Sequence, residues 1–249
     1  MKRIAIVGGT KGIGRAVARV LAARGDRVAL LGRDADDLTA SAGDLAARGP
    51  DGAHHTPVIA ELDLARPDTY DAALDEATRA LGGLDAVLIT AGAFGTQEAL
   101  EADAAARERV LSTNFTHTIQ LCEAVRIRLL AAGGGTLCVL GSVAGDRARK
   151  PVVLYGATKA GLAYYLKGLD LRHRDAGLRV VLVKPGFVRT GMTAGLPEPP
   201  FAADADDVAP AIVKAMDRGT PQLYVPAIWR LVMLVIRWLP TAVMRRVKF

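Results

Sequence analysis

Short aliphatic runs alternate along this chain with alanine-rich stretches whose apolar residues recur every three to four positions. The first pair is residues 3–7 (RIAIV) followed by 13–24, and the second is 27–31 followed by 35–48. A short continuous apolar run reads as a strand buried on both faces, and a 3.6-residue period reads as a helix with one apolar stripe. Further strands are predicted at 56–59, 86–90, 136–140, 179–183 and 222–225. Strand and helix in strict alternation mean βαβ units, so the expected architecture is α/β and doubly wound. It has seven mostly parallel strands, helices on both faces, and one domain over residues 1–249. In such a sheet, function belongs in the loops beyond the carboxyl ends of the strands.

Punctuation supports this layout. Gly133-Gly134-Gly135 separates a helix from the next strand, and Leu196-Pro197-Glu198-Pro199-Pro200 interrupts a long loop, residues 190–203, expected to act as a lid. The helix after that loop is expected to start at Asp204 or Asp206, with the carboxylate capping free backbone N–H groups.

Composition narrows the function. The chain has 249 residues, 51% of them hydrophobic, enough for one sizeable core. Its two cysteines, Cys122 and Cys138, lie in apolar segments without CxxC or Cys/His spacing, so no metal site or disulfide is predicted and a cytoplasmic location is expected. Glycines break the N-terminal run MKRIAIVGG too early for a signal-peptide core. A net charge of +6, scattered and without a stacking platform, argues against nucleic acid and for anionic small molecules.

Directly after the first predicted strand stand Gly8-Gly9-Thr10-Lys11-Gly12-Ile13-Gly14, followed by an amphipathic helix. Gly8 permits a tight turn, Gly12 lets the backbone approach a pyrophosphate, and Gly14 lets the helix pack closely, with its N-terminus facing the anion. This placement predicts dinucleotide binding in a Rossmann-type fold. The second strand ends in Gly32 and Arg33 rather than in a carboxylate, and with Lys11 this favours the 2'-phosphate of NADP(H); NAD(H) is still admitted. The competing reading is that Arg33 is a solvated surface arginine and that Asp34 or Asp36 reaches the ribose.

Ser142 follows the fifth strand, and Tyr155-Gly-Ala-Thr-Lys159 opens a helix. Four-residue spacing puts the phenol and the ammonium on one face, where the positive charge is expected to draw the tyrosine's pKa down from ~10. Tyr155 then suits general acid or base work, and Ser142 suits hydrogen bonding to a carbonyl oxygen.

These motifs together resemble the short-chain dehydrogenase/reductase family over nearly the whole chain. The resemblance rests on the glycine loop, Leu62-Asp63-Leu64, Ile89-Thr90-Ala91-Gly92, Asn114, Ser142, Tyr155 with Lys159, and Pro185-Gly186-Phe187-Val188-Arg189-Thr190. It implies that Asp63 and Leu64 meet the adenine, Ala91 and Gly92 the adenosine ribose, and Pro185, Gly186, Val188 and Thr190 the nicotinamide end. Lys159 would also hold the nicotinamide ribose, Asn114 would position a proton-relaying water, and the helices near Asn114 and Tyr155 would pair subunits into a dimer or tetramer. Two departures stand out: Val7 where the family usually has Thr, and Ile89-Thr90 where it usually has Asn-Asn.

Two further features bear on the substrate, expected to be a small-molecule carbonyl or alcohol. Arg147, Arg149 and Lys150, between Ser142 and Tyr155, form a basic loop that suits a phosphorylated substrate or else a solvated or subunit-contact surface. The C-terminal segment 226–249 is apolar and basic, with Trp229, Trp238 and several arginines. It reads as a core or dimer-interface helix, or as a peripheral membrane or lipid-tail contact through 228–248 at the inner face of the membrane. The second half also resembles reductases of decaprenylphosphoryl 2-keto-pentose. Two alternatives stay open: a reductase or dehydrogenase of small lipophilic alcohols and ketones, and a protein that senses NADP(H) without turnover.

Overall fold

In the computed structural model, residues 1–50 and 56–246 are described. The elements run β1 (Arg3–Val7), α1 (Gly12–Ala23), β2 (Arg27–Gly32), α2 (Ala35–Ala46), β3 (Val58–Glu61), α3 (Tyr70–Leu81) and β4 (Ala86–Ile89). They continue with α4 (Gln97–Ala102), α5 (Ala104–Leu111), a π-helical turn (Ser112–His117), α6 (Thr118–Ala131), β5 (Gly135–Leu140), α7 (Val153–His173) and β6 (Leu178–Pro185). Last come β7 (Val188–Arg189), β8 (Ala203–Asp204), α8 (Ala205–Arg218), β9 (Gln222–Val225), α9 (Ile228–Trp238) and α10 (Thr241–Met244).

Seven strands form one sheet in the order β3-β2-β1-β4-β5-β6-β9, and every pairing is parallel. The order reverses direction at β1, so β1 and β4 flank the crevice where a ligand belongs. The central strands are buried on both faces, as their unbroken aliphatic sequences require. One core layer joins Val87, Leu137 and Val180 to α3, α6 and α7, and the other joins Ile6, Leu88 and Val181 to α1 and α8.

Most predicted strands match within a residue or two. β3 begins at Val58 rather than 56, because Pro57 has no N–H for the ladder and pairing with β2 opens at Val58 opposite Ala29. Asp204 does stand at the N-cap of α8, yet it makes no cap bond; its carboxylate pairs with Arg189 at 3.2 Å instead.

The connection from β5 to α7 is pinned by a buried ion pair. Asp146 meets Lys184 of β6 at 2.5 Å, with side chains 3% and 9% exposed, and accepts the Tyr224 hydroxyl of β9 at 2.7 Å. The pair is stabilising only while complete, because either charge alone would be buried without a counterion. Asp146→Ala is therefore expected to cost about 3–5 kcal/mol, and Asp146→Ala with Lys184→Met to recover most of that loss. Urea unfolding of both variants checks this; a single variant as stable as the parent would show that the pair does not hold the loop.

Candidate active site

The glycine loop is shaped by what lies against it. Gly8 and Gly12 have φ of +87° and +52°, the left-handed region where a side chain is strained. A methyl on Gly14 would lie 2.3 Å from the Gly8 carbonyl, so α1 can reach the loop this closely only without one. Thr90, the departure from Asn, donates its hydroxyl to the carbonyls of Gly8 at 2.9 Å and Val7 at 3.1 Å, and so ties the loop to the end of β4. No side chain caps α1 and no acidic residue occupies its first turn, which leaves those N–H groups open to an anion. The loop, Thr10 through Ile13 included, thus fits a dinucleotide's pyrophosphate.

At the end of β2, Arg33 is exposed and makes no ion pair among the described residues. Asp34 is committed to capping α2, where it accepts Asp37 N–H at 2.9 Å. Lys11 is exposed and pairs with Asp37 at 2.5 Å. Arg33 is therefore an unneutralised cation on this rim among the described residues, and Asp36, also exposed and unpaired, is a carboxylate near it. After β3, Asp63 accepts the N–H of Ala65 at 2.9 Å, and Leu64 is buried in the core with its carbonyl taken by the Tyr70 hydroxyl at 2.6 Å. Val188 is likewise buried, so from Leu64 and Val188 only backbone can face a ligand.

A chain of close approaches carries the crevice from this loop to the residues of α7. Thr190 Cγ2 would lie 3.2 Å from a methyl on Gly12, which puts the root of the 190–203 loop beside the glycine turn. A methyl on Gly92 would lie 3.1 Å from Asn114 Oδ1 and 3.8 Å from Lys159 Nζ. Lys159 Nζ lies 5.8 Å from the Tyr155 ring centroid, and Ser142 stands close enough to the phenol to act on its titration. Ser142 Oγ also accepts Ala144 N–H at 3.1 Å. Pro185 ends β6, and Gly186 lies so near the Trp229 indole that a methyl there would clash.

Asn114 lies in a π-helical turn rather than a regular helix. Its amide is fully buried and donates to Ala93 O at 2.7 Å while accepting Ala93 N–H at 2.8 Å. The side chain thus fixes the β4–α4 loop and is spent in doing so; a water held here would bind the main chain.

Electrostatics at α7 correct one expectation. Burial pushes the Tyr155 phenol up to about 12, with only the Ser142 hydrogen bond acting downward. Burial also lowers the Lys159 ammonium to about 8, its Nζ donating to Leu140 O at 3.0 Å. Desolvation outweighs the lysine's pull on the phenol because the amine points to a strand-end carbonyl and is itself stripped of water.

Sequence reasoning missed several neighbours. Phe94 stands edge-on to Tyr155 at 5.1 Å between centroids, and Gln97 Oε1 accepts Leu154 N–H at 3.1 Å, fixing the first turn of α7. Leu140 and Ala93 act through backbone, which no local pattern could have revealed. The basic loop also divides: Arg147 donates to Leu239 O at 2.9 Å and Lys150 to Arg245 O, while the buried Arg149 Nε has no partner among the described residues.

Comparison with known proteins agrees with this geometry. The sequence pattern of the short chain dehydrogenase family matches residues 2–200. The chain is 36% identical to an uncharacterized oxidoreductase of Streptomyces coelicolor, over 98% of this chain and 95% of that one. It is 32% identical to carbonyl reductase family member 4 of Xenopus tropicalis, over 79% and 80%. A short chain dehydrogenase from Burkholderia cenocepacia J2315, solved in complex with NADP, superposes with a TM-score of 0.78 at 26% identity, covering 90% and 96%. A short-chain type dehydrogenase/reductase from Mycobacterium marinum has the same fold, with a TM-score of 0.81 at 24% identity over 90% and 93%. The glycine loop, the switch point at β1 and the family pattern across most of the chain converge on one identification: this protein is an oxidoreductase of the short-chain dehydrogenase/reductase family.

Proposed function

We propose that this chain is an NADPH-dependent ketone reductase with Tyr155 as its proton donor. The single observation that carries the reading is the convergence of Ser142, Tyr155 and Lys159 at the end of a crevice that begins at an open, anion-ready glycine loop. Bound NADPH supplies the hydride for the carbonyl carbon. Gly8, Thr10, Lys11, Gly12, Ile13 and Gly14 would hold its pyrophosphate, with Asp63, Ala91, Gly92, Pro185, Gly186 and Thr190 along its length. Arg33 would meet the 2'-phosphate; the NADP complex of the Burkholderia relative supports that choice.

Ser142 accepts a backbone N–H, and its own O–H, beside the Tyr155 phenol, would turn to orient the substrate carbonyl. With its pKa held near 12, Tyr155 is fully protonated at neutral pH, the state a donor needs for reduction. Lys159, still mostly charged below about 8, then stabilises the phenolate left behind. Asn114 holds the loop over Lys159 and offers main chain to a relay water.

Arg149, whose Nε lacks a hydrogen bond and whose charge is disfavoured by burial, is the loop's available receptor for an anionic group on the substrate. A phosphorylated, lipid-linked keto sugar, the substrate class suggested by the resemblance to decaprenylphosphoryl 2-keto-pentose reductases, is the specific member of that class we favour. Subunits would pair through α6 and α7, where Ile127, Tyr164 and Leu171 are exposed.

Four outcomes follow. Tyr155→Phe should lower kcat roughly 100- to 10,000-fold with NADPH binding kept, measured by nucleotide oxidation and by fluorescence titration. Unaltered turnover would end the assignment. Arg33→Asp should cut the preference for NADPH over NADH by roughly ten- to a hundredfold, the factor for one charged hydrogen bond. Equal nucleotide use by the parent would refute the role of Arg33. Arg149→Gln should raise KM about tenfold or more for a phosphorylated ketone and leave a neutral ketone unaffected.

Linkage gives the last. Lys159 titrates near 8 when folded and near 10.5 when unfolded, so between these values the unfolded chain binds the extra proton. The penalty for the buried ammonium is full below about 8 and disappears by 10.5. Relative to Lys159→Met, the parent should gain up to about 3 kcal/mol of stability as pH rises through that window. A difference in unfolding free energy that does not change with pH would contradict a desolvated ammonium.

A further inference from the structure

Helix α9 is apolar on two faces. Trp229, Met233 and Ile236 point inward against Val143 and Tyr224, so the fold's demand on the helix is met by that stripe. On the opposite side Leu231, Leu234, Val235 and Trp238 recur at helical spacing and are 61%, 56%, 63% and 83% exposed. A monomer's surface seldom carries so many large apolar groups together without a partner.

The charge around this stripe selects the partner. Arg230 and Arg237 flank it on α9, and Arg245 and Arg246 follow at the end of α10, all exposed. No Asp or Glu occurs in the sequence after Asp217. A second copy packed helix against helix about a two-fold axis would set arginines against arginines with no carboxylate in that segment to answer them. An anionic bilayer answers them throughout, while tryptophan and the aliphatic side chains enter the boundary between headgroups and acyl chains. Eleven residues are far short of the ~20 that cross a bilayer, so the helix must lie flat. Among the described residues no helix is long and apolar enough to span.

We infer that the outer face of α9, extended by α10, docks this protein on an anionic lipid surface. The docked helix would sit over the substrate side of the crevice. Its inner face packs on Val143, next to Ser142; Trp229 Nε1 donates to Phe201 O at 3.3 Å in the 190–203 loop; and Arg147 and Lys150 hold the carbonyls of Leu239 and Arg245. A ketone attached to a lipid would thereby reach Ser142 and Tyr155 from the membrane. The docking itself depends on the surface of α9 and not on the proposed reaction.

Co-sedimentation of the full chain with vesicles tests it, using phosphatidylcholine alone and an equimolar mixture with phosphatidylglycerol. The expected result is binding to the mixed vesicles only, weakened by salt, and reduced about tenfold or more in Leu234→Glu with Trp238→Glu and in Arg230→Gln with Arg245→Gln and Arg246→Gln. All these side chains are exposed, and circular dichroism with NADPH turnover on a soluble ketone verifies that the variants remain folded and active. Failure of the folded parent to bind mixed vesicles, or equal binding by the variants, overturns the inference. So does conversion of a parent dimer to a monomer by the Leu234→Glu and Trp238→Glu pair, which would make this face a subunit interface. Vesicle binding without any reductase activity would instead leave the docking standing and remove the proposed function.

Discussion

One buried amine organises this molecule. Lys159 is almost fully desolvated, and its ammonium meets the carbonyl at the end of β5. That hydrogen bond fixes α7 against the sheet at the height where Tyr155, one turn earlier, faces the crevice. Desolvation has a second effect, because the same burial that raises the cost of charge on Lys159 also keeps the neighbouring phenol protonated. The geometry and the protonation states of the site therefore have one origin, the desolvation of the Tyr155 phenol and the Lys159 ammonium on α7. The surrounding loops maintain it: Asn114 holds Ala93, Gln97 holds Leu154, and Asp146 holds the loop after Ser142 to Lys184.

The parallel sheet explains why these parts meet. Every strand of the main sheet ends on the same side, so the glycine loop after β1, Thr90 to Gly92 after β4, Ser142 after β5 and Pro185 to Thr190 after β6 are brought to one edge although they are far apart in sequence. Their positions are then refined by backbone packing rather than by long side chains. Thr90 donates into the glycine turn, and the absence of Cβ atoms at Gly8, Gly14 and Gly92 is what permits the approach.

This division accounts for what could be read in advance. The strands, the wound α/β architecture and the glycine turn were legible because each is a local pattern of apolar period and backbone permissiveness. Tyr155 and Lys159 were legible because four residues on a helix make neighbours whatever the rest of the fold does. The direction of the Tyr155 shift was not legible, since it depends on how much water the folded chain removes. Nor was the fate of Asp204, whose cap position is real but whose carboxylate is drawn to Arg189, a residue from the far side of the lid. Similarly, Arg147 and Lys150 look like free cations in the sequence yet each donates to a carbonyl more than ninety positions away, whereas Arg149 buries an Nε with no partner among the described residues.

The C-terminal segment shows the same limit from the other side. Its run of apolar residues satisfies a core helix and an interfacial helix equally well, and the sequence cannot divide the residues between those roles. Packing divides them: Trp229, Met233 and Ile236 go to the core, and Leu231, Leu234, Val235 and Trp238 are left over. A helix needs only one apolar stripe to join a domain. The second stripe is thus a surplus that folding does not explain, and it lies on the element that closes over Val143 and the 190–203 loop. Contact at that stripe would fall on the same helix whose inner face packs on Val143, the neighbour of Ser142, and whose Trp229 holds Phe201 of the 190–203 loop.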